Sequence, residues 1–166
     1  STGLLTCDIV FNATDFSDAT IAATANSQGI VPVNVTGGMT IGNLTATLNI
    51  SHTYIEDLTI YLEGPASLGY PFIRLFQEPC GDNDNIVATI SDAGTTFTCS
   101  ASIPAISGTV KPVDAFNSFN NLLADGEWTL YAYDPYNGDG GIINSFSLNF
   151  CNVTASALSV GENELS

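Results

Sequence analysis

The chain has 166 residues, of which 45% are hydrophobic and 11% are charged, a composition that indicates one folded domain rather than a disordered chain. It has 17 acidic residues and only two basic ones, Arg74 and Lys111, which gives a formal net charge of −15. Nucleic-acid binding needs a basic surface, and an anionic membrane would repel this charge, so we expect neither partner. No stretch is long and apolar enough for membrane insertion.

Apolar and polar residues alternate with a period of two along much of the chain, which predicts β-strands with one buried face. In the first clear case, residues 44–51, the apolar set is Leu44, Ala46, Leu48 and Ile50. The same alternation recurs at residues 57–64, 127–134 and 144–151. Further strands are predicted at Ile30–Val35, Phe72–Gln77, Ile86–Ile90 and Thr95–Cys99.

Glycine- and proline-rich turns separate these strands, and only Val113–Leu123 has the composition for a short helix. About eight or nine strands with little helix predict an all-β antiparallel jelly-roll β-sandwich. We place this domain at residues 1–152. Residues 153–166 lose the alternation and are interpreted as a C-terminal linker.

Four cysteines allow three disulfide pairings, and their spacing matches no zinc-binding motif. Cys7 and Cys151 bracket nearly the whole chain, and Cys80 and Cys99 bracket the polar loop that begins at residue 80. We favour the pairs Cys7–Cys151 and Cys80–Cys99, which require an oxidising compartment. The alternative is four free buried thiols in a cytosolic protein.

The stretch CGDNDNIVATISDAG, residues 80–94, raises the question of a calcium loop. An EF-hand starting at Asp82 would need an oxygen ligand at Ile86, glycine at Val87 and glutamate at Ala93, so that motif is absent. A different Ca²⁺ site, built from several loops at one sandwich end, remains a hypothesis. Its candidate ligands are Asp57, Asp82, Asp84, Asp92, Asp134 and Asp139. The alternative is a set of separate solvated turns.

Catalysis by the chain itself has little support in the sequence. His52 is the only histidine, no GxSxG motif occurs, and we interpret His52 as a packing or surface residue. Trp128 alternates with Leu130 and is predicted to lie in the core. Exposed tyrosines beside an acidic rim are also typical of a carbohydrate-binding module, and the candidates are Tyr70, Tyr131, Tyr133 and Tyr136.

Four segments together resemble the P domain, or homo B domain, of proprotein convertases and bacterial subtilisin-like proteases. They are ISHTYIEDLTIYLEGPAS at 50–67, LFQEPCGDNDNIVATISDAG at 75–94, ISGTVKPVDAFNSFN at 106–120 and DGEWTLYAYDPYNGDGGIINSFSLNFC at 125–151. The chain departs from the family pattern at three places, with Glu56 for a glycine, Asp125-Gly126 for Asn-Gly, and Phe146 for a tryptophan. None of these departures interrupts the strand pattern.

The resemblance implies a non-catalytic jelly-roll module that follows a serine endopeptidase domain in the same polypeptide, stabilises it, and sometimes binds structural calcium. It also implies a protein secreted by a bacterium or held at its surface, with a sorting domain after the C-terminal linker. We expect a monomer. The alternative is a carbohydrate- or surface-binding module of a secreted adhesin, with a glycan or protein surface as its partner.

Overall fold

The computed structural model describes residues 4–154, which form two packed β-sheets. Three short 3-10 turns interrupt the connections, at Ile55–Asp57, Ala66–Leu68 and Phe116–Phe119. In this part of the chain no helix has the length and apolar character to span a membrane. The strands are β1 (Leu4–Asn12), β2 (Thr20–Ile21), β3 (Ser27–Val35), β4 (Ile41–His52), β5 (Thr59–Glu63), β6 (Phe72–Gln77), β7 (Ile86–Thr95), β8 (Ile106–Val110), β9 (Gly126–Asp134) and β10 (Gly141–Thr154).

The first sheet has the strand order β1-β10-β4-β7-β8, with β2 also pairing with β10. The second sheet has the order β3-β9-β5-β6. The predicted all-β sandwich is therefore confirmed, with ten strands rather than eight or nine. Among the residues described, β7 and β8 form the one parallel pair, and the other paired strands are antiparallel.

Both sheets bury their apolar faces against each other, as the alternation predicts. The whole apolar set of the 44–51 stretch is buried, and Trp128 is completely buried as well. The Trp128 ring packs between Phe119 and Phe150, with ring centroids 5.0 and 5.8 Å away. Its indole N–H donates a 2.8 Å hydrogen bond to the Ala124 carbonyl, which satisfies the one polar atom of this side chain in the core.

Two local predictions are wrong. The predicted helix at Val113–Leu123 is only the 3-10 turn Phe116–Phe119, whose two phenylalanines anchor it in the core. The predicted strand Thr95–Cys99 does not form, because β7 ends at Thr95 and the chain then turns to pack Phe97 against Phe76. The final strand also continues through Val153 and Thr154, past the predicted domain end, and residues 155–166 lie outside the described residues.

Both predicted disulfides are confirmed, and no cysteine is free. Cys7–Cys151 joins the adjacent strands β1 and β10, next to an irregularity in their register between Thr6 and Ile9. Cys80–Cys99 ties the loop before β7 to the irregular segment after it, across 19 residues. The polar loop is thus fixed by the disulfide at its first residue, Cys80, and continues directly into β7 at its other end.

Candidate functional site

The ends of β4 and β9 meet in a buried histidine–aspartate pair. His52 is the last residue of β4 and Asp134 the last residue of β9, and neither side chain is exposed to solvent. The backbone N–H of Tyr54 donates a 3.0 Å hydrogen bond to His52 Nδ1. Since Nδ1 accepts, it carries no proton, and His52 is the neutral Nε2–H tautomer. Nε2 then donates a 2.8 Å hydrogen bond to Asp134 Oδ2.

Further hydrogen bonds tie the His52–Asp134 pair to neighbouring loops, and we call this buried group the junction. Asp134 Oδ1 accepts a 2.8 Å hydrogen bond from the backbone N–H of Tyr136, so both carboxylate oxygens have donors. The backbone N–H of His52 donates to Asn85 Oδ1, and the backbone N–H of Asn85 donates to the His52 carbonyl. Because both ring nitrogens are engaged and the ring is buried, His52 has no free nitrogen to act as a base on a substrate.

A small acidic cavity of about 230 Å³ opens to solvent near this junction. Tyr54, Glu56, Asp57, Glu78 and Tyr136 line it. Partial burial raises the pKa of Asp57, and the negative charges of Asp134, Asp139 and Glu56 raise it further. The carboxylate of Asp57 is therefore held in an unfavourable environment. The phenol of Tyr136 donates a 3.4 Å hydrogen bond to Glu78 Oε1 on the rim.

The predicted calcium ligands are only partly brought together. Asp57 lines the cavity, and Asp134 and Asp139 are near enough for their charges to raise its pKa. Asp139 also accepts a 2.9 Å hydrogen bond from the Thr53 hydroxyl. Asp82 and Asp84 belong to the loop that pairs with the 3-10 turn Ile55–Asp57, through the bonds Ile55 N–H to Asn83 O and Glu56 N–H to Gly81 O.

Asp92 stands apart from the other candidates. Its Oδ1 accepts a 2.8 Å hydrogen bond from the backbone N–H of Phe116, and it lines a separate groove with Lys111. Within residues 4–154, no three His, Cys, Asp or Glu side chains gather closely enough to hold a metal ion. A calcium ion held by these side chains alone does not fit this arrangement, and calcium would need backbone carbonyls or water as further ligands.

The CGDNDN loop has a clear local role. Asn85 adopts a positive φ of 70° and uses both its side chain and its backbone to hold His52. Asp84 and Asn85 carbonyls also accept the backbone N–H of Ala105, which leads into β8. Asparagine tolerates this left-handed conformation better than most residues, and that preference is the sequence signal that could have identified Asn85.

The four candidate tyrosines do not form one surface. Tyr136 belongs to the acidic cavity, Tyr70 is 57% exposed in the turn before β6, and the Tyr133 hydroxyl donates to Asn26. Tyr131 instead joins two residues that the sequence did not single out, Tyr61 and Phe72, on the outer side of the second sheet. We call these three side chains the aromatic face. Phe72 is 56% exposed at its edge.

Comparisons with known proteins identify relatives of this fold. The family model for the proprotein convertase P-domain matches residues 41–150. A search of curated proteins finds no match. Two crystal structures of the Aeromonas sobria serine protease have a similar fold, one of them a complex with a chaperone.

The structural likeness is confined to one part of that protease. The complex matches at 18% identity and a TM-score of 0.60, covering 93% of this chain and 28% of the protease chain. The protease alone matches at 19% identity and a TM-score of 0.59, covering 90% of this chain and 27% of the protease chain. The chain thus spans little more than a quarter of the length of these proteases. At this identity the likeness shows the fold.

Proposed function

Because this chain belongs to the proprotein convertase P-domain family, we propose that it is the non-catalytic accessory domain of a longer secreted serine endopeptidase, where it stabilises the adjoining catalytic domain. One observation carries the proposal. A region of similar fold makes up 28% of the Aeromonas sobria serine protease chain, so a domain of this fold occurs within a longer serine protease.

The chemistry of the described residues supports an accessory role. A serine-protease triad needs a histidine whose Nε2 faces a serine hydroxyl. Here the Nε2 of His52, the only histidine, is committed to Asp134, and the ring is buried. Two disulfides and the absence of a free thiol support export to an oxidising compartment, either secretion or display at a bacterial surface.

Structural calcium is part of the proposal in a limited form. The motive is electrostatic, since Asp57 sits among like charges that raise its pKa, and a bound divalent cation would relieve that repulsion. Asp57 and Asp139 would supply carboxylate oxygens, while backbone carbonyls and water would complete the coordination that Ca²⁺ prefers.

Deletion within the parent protein tests the accessory role. The parent protein should hydrolyse casein, and a variant lacking residues 4–154 should lose activity or soluble expression. The 166-residue chain alone should leave casein intact. Casein turnover by the isolated chain, abolished by His52→Ala, would overturn the proposal. So would a parent protein that keeps full activity and thermal stability after the deletion.

A further inference from the structure

The aromatic face lies on three neighbouring strands of the second sheet. Tyr61 on β5 and Tyr131 on β9 are direct cross-strand partners, and Phe72 on β6 leans against both. The Phe72 ring centroid lies 5.9 Å from that of Tyr61 and 5.7 Å from that of Tyr131. More than half of Phe72 remains exposed despite these contacts. Tyr61 and Tyr131 are partly buried. A cluster of aromatic side chains with one of them exposed is typical of binding surfaces.

Acidic groups border the aromatic face. Glu63 Oε1 accepts a 3.0 Å hydrogen bond from the Tyr131 hydroxyl, which places this carboxylate beside the rings. Glu127 is near enough for its charge to act on the same hydroxyl. The pKa of Tyr131 is raised above its usual value, mainly by burial of the phenol and then by the neighbouring carboxylates of Glu63 and Glu127. Among the described residues, Glu63 Oε2 and the Glu127 carboxylate accept no side-chain hydrogen bond or ion pair.

Arg74 is the cationic side chain next to these rings within residues 4–154, and it is already engaged. Arg74, the cross-strand neighbour of Tyr61, donates from Nε and Nη2 to the two oxygens of Asp114, and from Nη1 to Gln77. Its charge is thus balanced by Asp114, and the surface keeps the negative charge of Glu63 and Glu127. The net charge of −15 adds a long-range field of the same sign.

We propose that the aromatic face, with Glu63 and Glu127, is a docking surface for a polypeptide segment that presents an arginine or lysine side chain. A guanidinium or ammonium group is attracted to the faces of aromatic rings and forms charge-assisted hydrogen bonds with carboxylates. The two kinds of group lie side by side here, and charge complementarity selects a basic partner. This inference does not depend on the accessory role proposed above.

Titration of the 166-residue chain with acetyl-Gly-Arg-Gly-Arg-Gly-amide, followed by amide NMR resonances, tests the docking surface. The matched probe replaces each arginine by citrulline, which has the same shape without the charge. The arginine peptide should shift resonances on β5, β6 and β9, including those of Phe72 and Tyr131, and the citrulline peptide should shift them far less. A separate titration with the sugar oligomer cellohexaose tests whether the surface binds a glycan instead.

Matched pairs of variants separate a specific surface from diffuse electrostatic attraction. Phe72→Ser should weaken binding by at least about fivefold, whereas Val87→Ser, on an exposed position of the other sheet, should change it little. Glu63→Gln with Glu127→Gln should weaken binding more than Glu56→Gln with Glu78→Gln, which removes the same charge from the acidic cavity.

Four outcomes would overturn the proposal. An equal loss of peptide binding in both pairs of glutamate variants would show that the attraction is only diffuse electrostatics. Unchanged peptide binding by Phe72→Ser would show that the aromatic rings take no part. Cellohexaose shifts on this surface, without arginine-peptide shifts, would assign it to glycans instead. An absence of shifts with every probe would also contradict it.

Discussion

His52 donates a 2.8 Å hydrogen bond to Asp134 across 82 residues of sequence, and neither side chain is exposed to solvent. The pair joins the end of β4 to the end of β9, and therefore links the first sheet to the second. Both carboxylate oxygens of Asp134 accept hydrogen bonds, and His52 Nδ1 accepts one from the Tyr54 N–H. Every polar side-chain atom of the pair therefore has a hydrogen-bond partner. We interpret it as an element that fixes how the two sheets meet.

Removal of the imidazole should therefore destabilise the fold. His52→Ala leaves the buried Asp134 carboxylate without one donor and the Tyr54 N–H without an acceptor, at a cost of about 1–3 kcal/mol or more. Urea unfolding of the 166-residue chain measures the loss. His52→Gln can supply a replacement N–H donor and should recover part of it. A stability equal to that of the wild type in His52→Ala would contradict the structural role.

A second prediction concerns the close approach of β10 to β4. A Cβ at Gly141 would overlap the backbone carbonyl oxygen of Ser51, next to His52. Gly141→Ala should force the strands apart and lower the free energy of unfolding by roughly 1–3 kcal/mol. Ser145→Ala, an exposed position on the same strand, is the matched control and should have little effect. Equal stability of the two variants in thermal unfolding would refute this contact.

The pH dependence of stability should report on Asp57. Its pKa in the folded chain is raised, so the folded state binds the proton more tightly than the unfolded state. The folded state is therefore favoured at low pH, and this contribution is lost as pH rises through the raised pKa of the folded state. Asp57→Asn should stabilise the chain at pH 7 and give no gain at pH 3.

Chemical denaturation at both pH values measures this difference. Asp82→Asn removes the same charge from an exposed position outside the cavity wall, and it accounts for the general relief of the net charge. If both variants gain the same stability at pH 7, the local environment of Asp57 has no special effect.

Calcium should raise the unfolding midpoint if the limited site proposed for Asp57 and Asp139 exists. A ligand that binds only the folded state stabilises it by about 2.7 kcal/mol at a hundredfold excess over Kd. For a domain of this size, that gain corresponds to a shift of several degrees, at roughly 2–4 °C per kcal/mol. Sodium at matched ionic strength is the control, because screening alone relieves repulsion. Identical midpoints in calcium and sodium would exclude the site.

Period-two alternation predicted the strands that bury one face, including β4, β5, β9 and β10. It missed β1, because all nine of its residues are exposed or only partly buried and no buried face imposes a pattern. It also missed β8, where Gly108 has a φ of +80° and the three central residues are exposed. Such edge strands are determined by their partners rather than by their own residues.

The candidate site was predictable only in part, because its contacts join residues distant in sequence. The composition identified acidic loops, but not that Asp92 lies with Lys111 and Phe116, away from Asp57. The aromatic face needed the strand order β9-β5-β6, which places Tyr131, Tyr61 and Phe72 side by side. His52 and Asp134 likewise meet only because β4 and β9 end at the same side of the sandwich.

The most direct test of the accessory role is thermal inactivation of the parent protein's peptidase activity, measured for the wild type, Gly141→Ala and Ser145→Ala. If this domain stabilises an adjoining catalytic domain, Gly141→Ala should lose casein hydrolysis at a lower temperature than the wild type, while Ser145→Ala should match the wild type. Identical inactivation temperatures for all three proteins, or a parent protein without peptidase activity, would contradict the proposal.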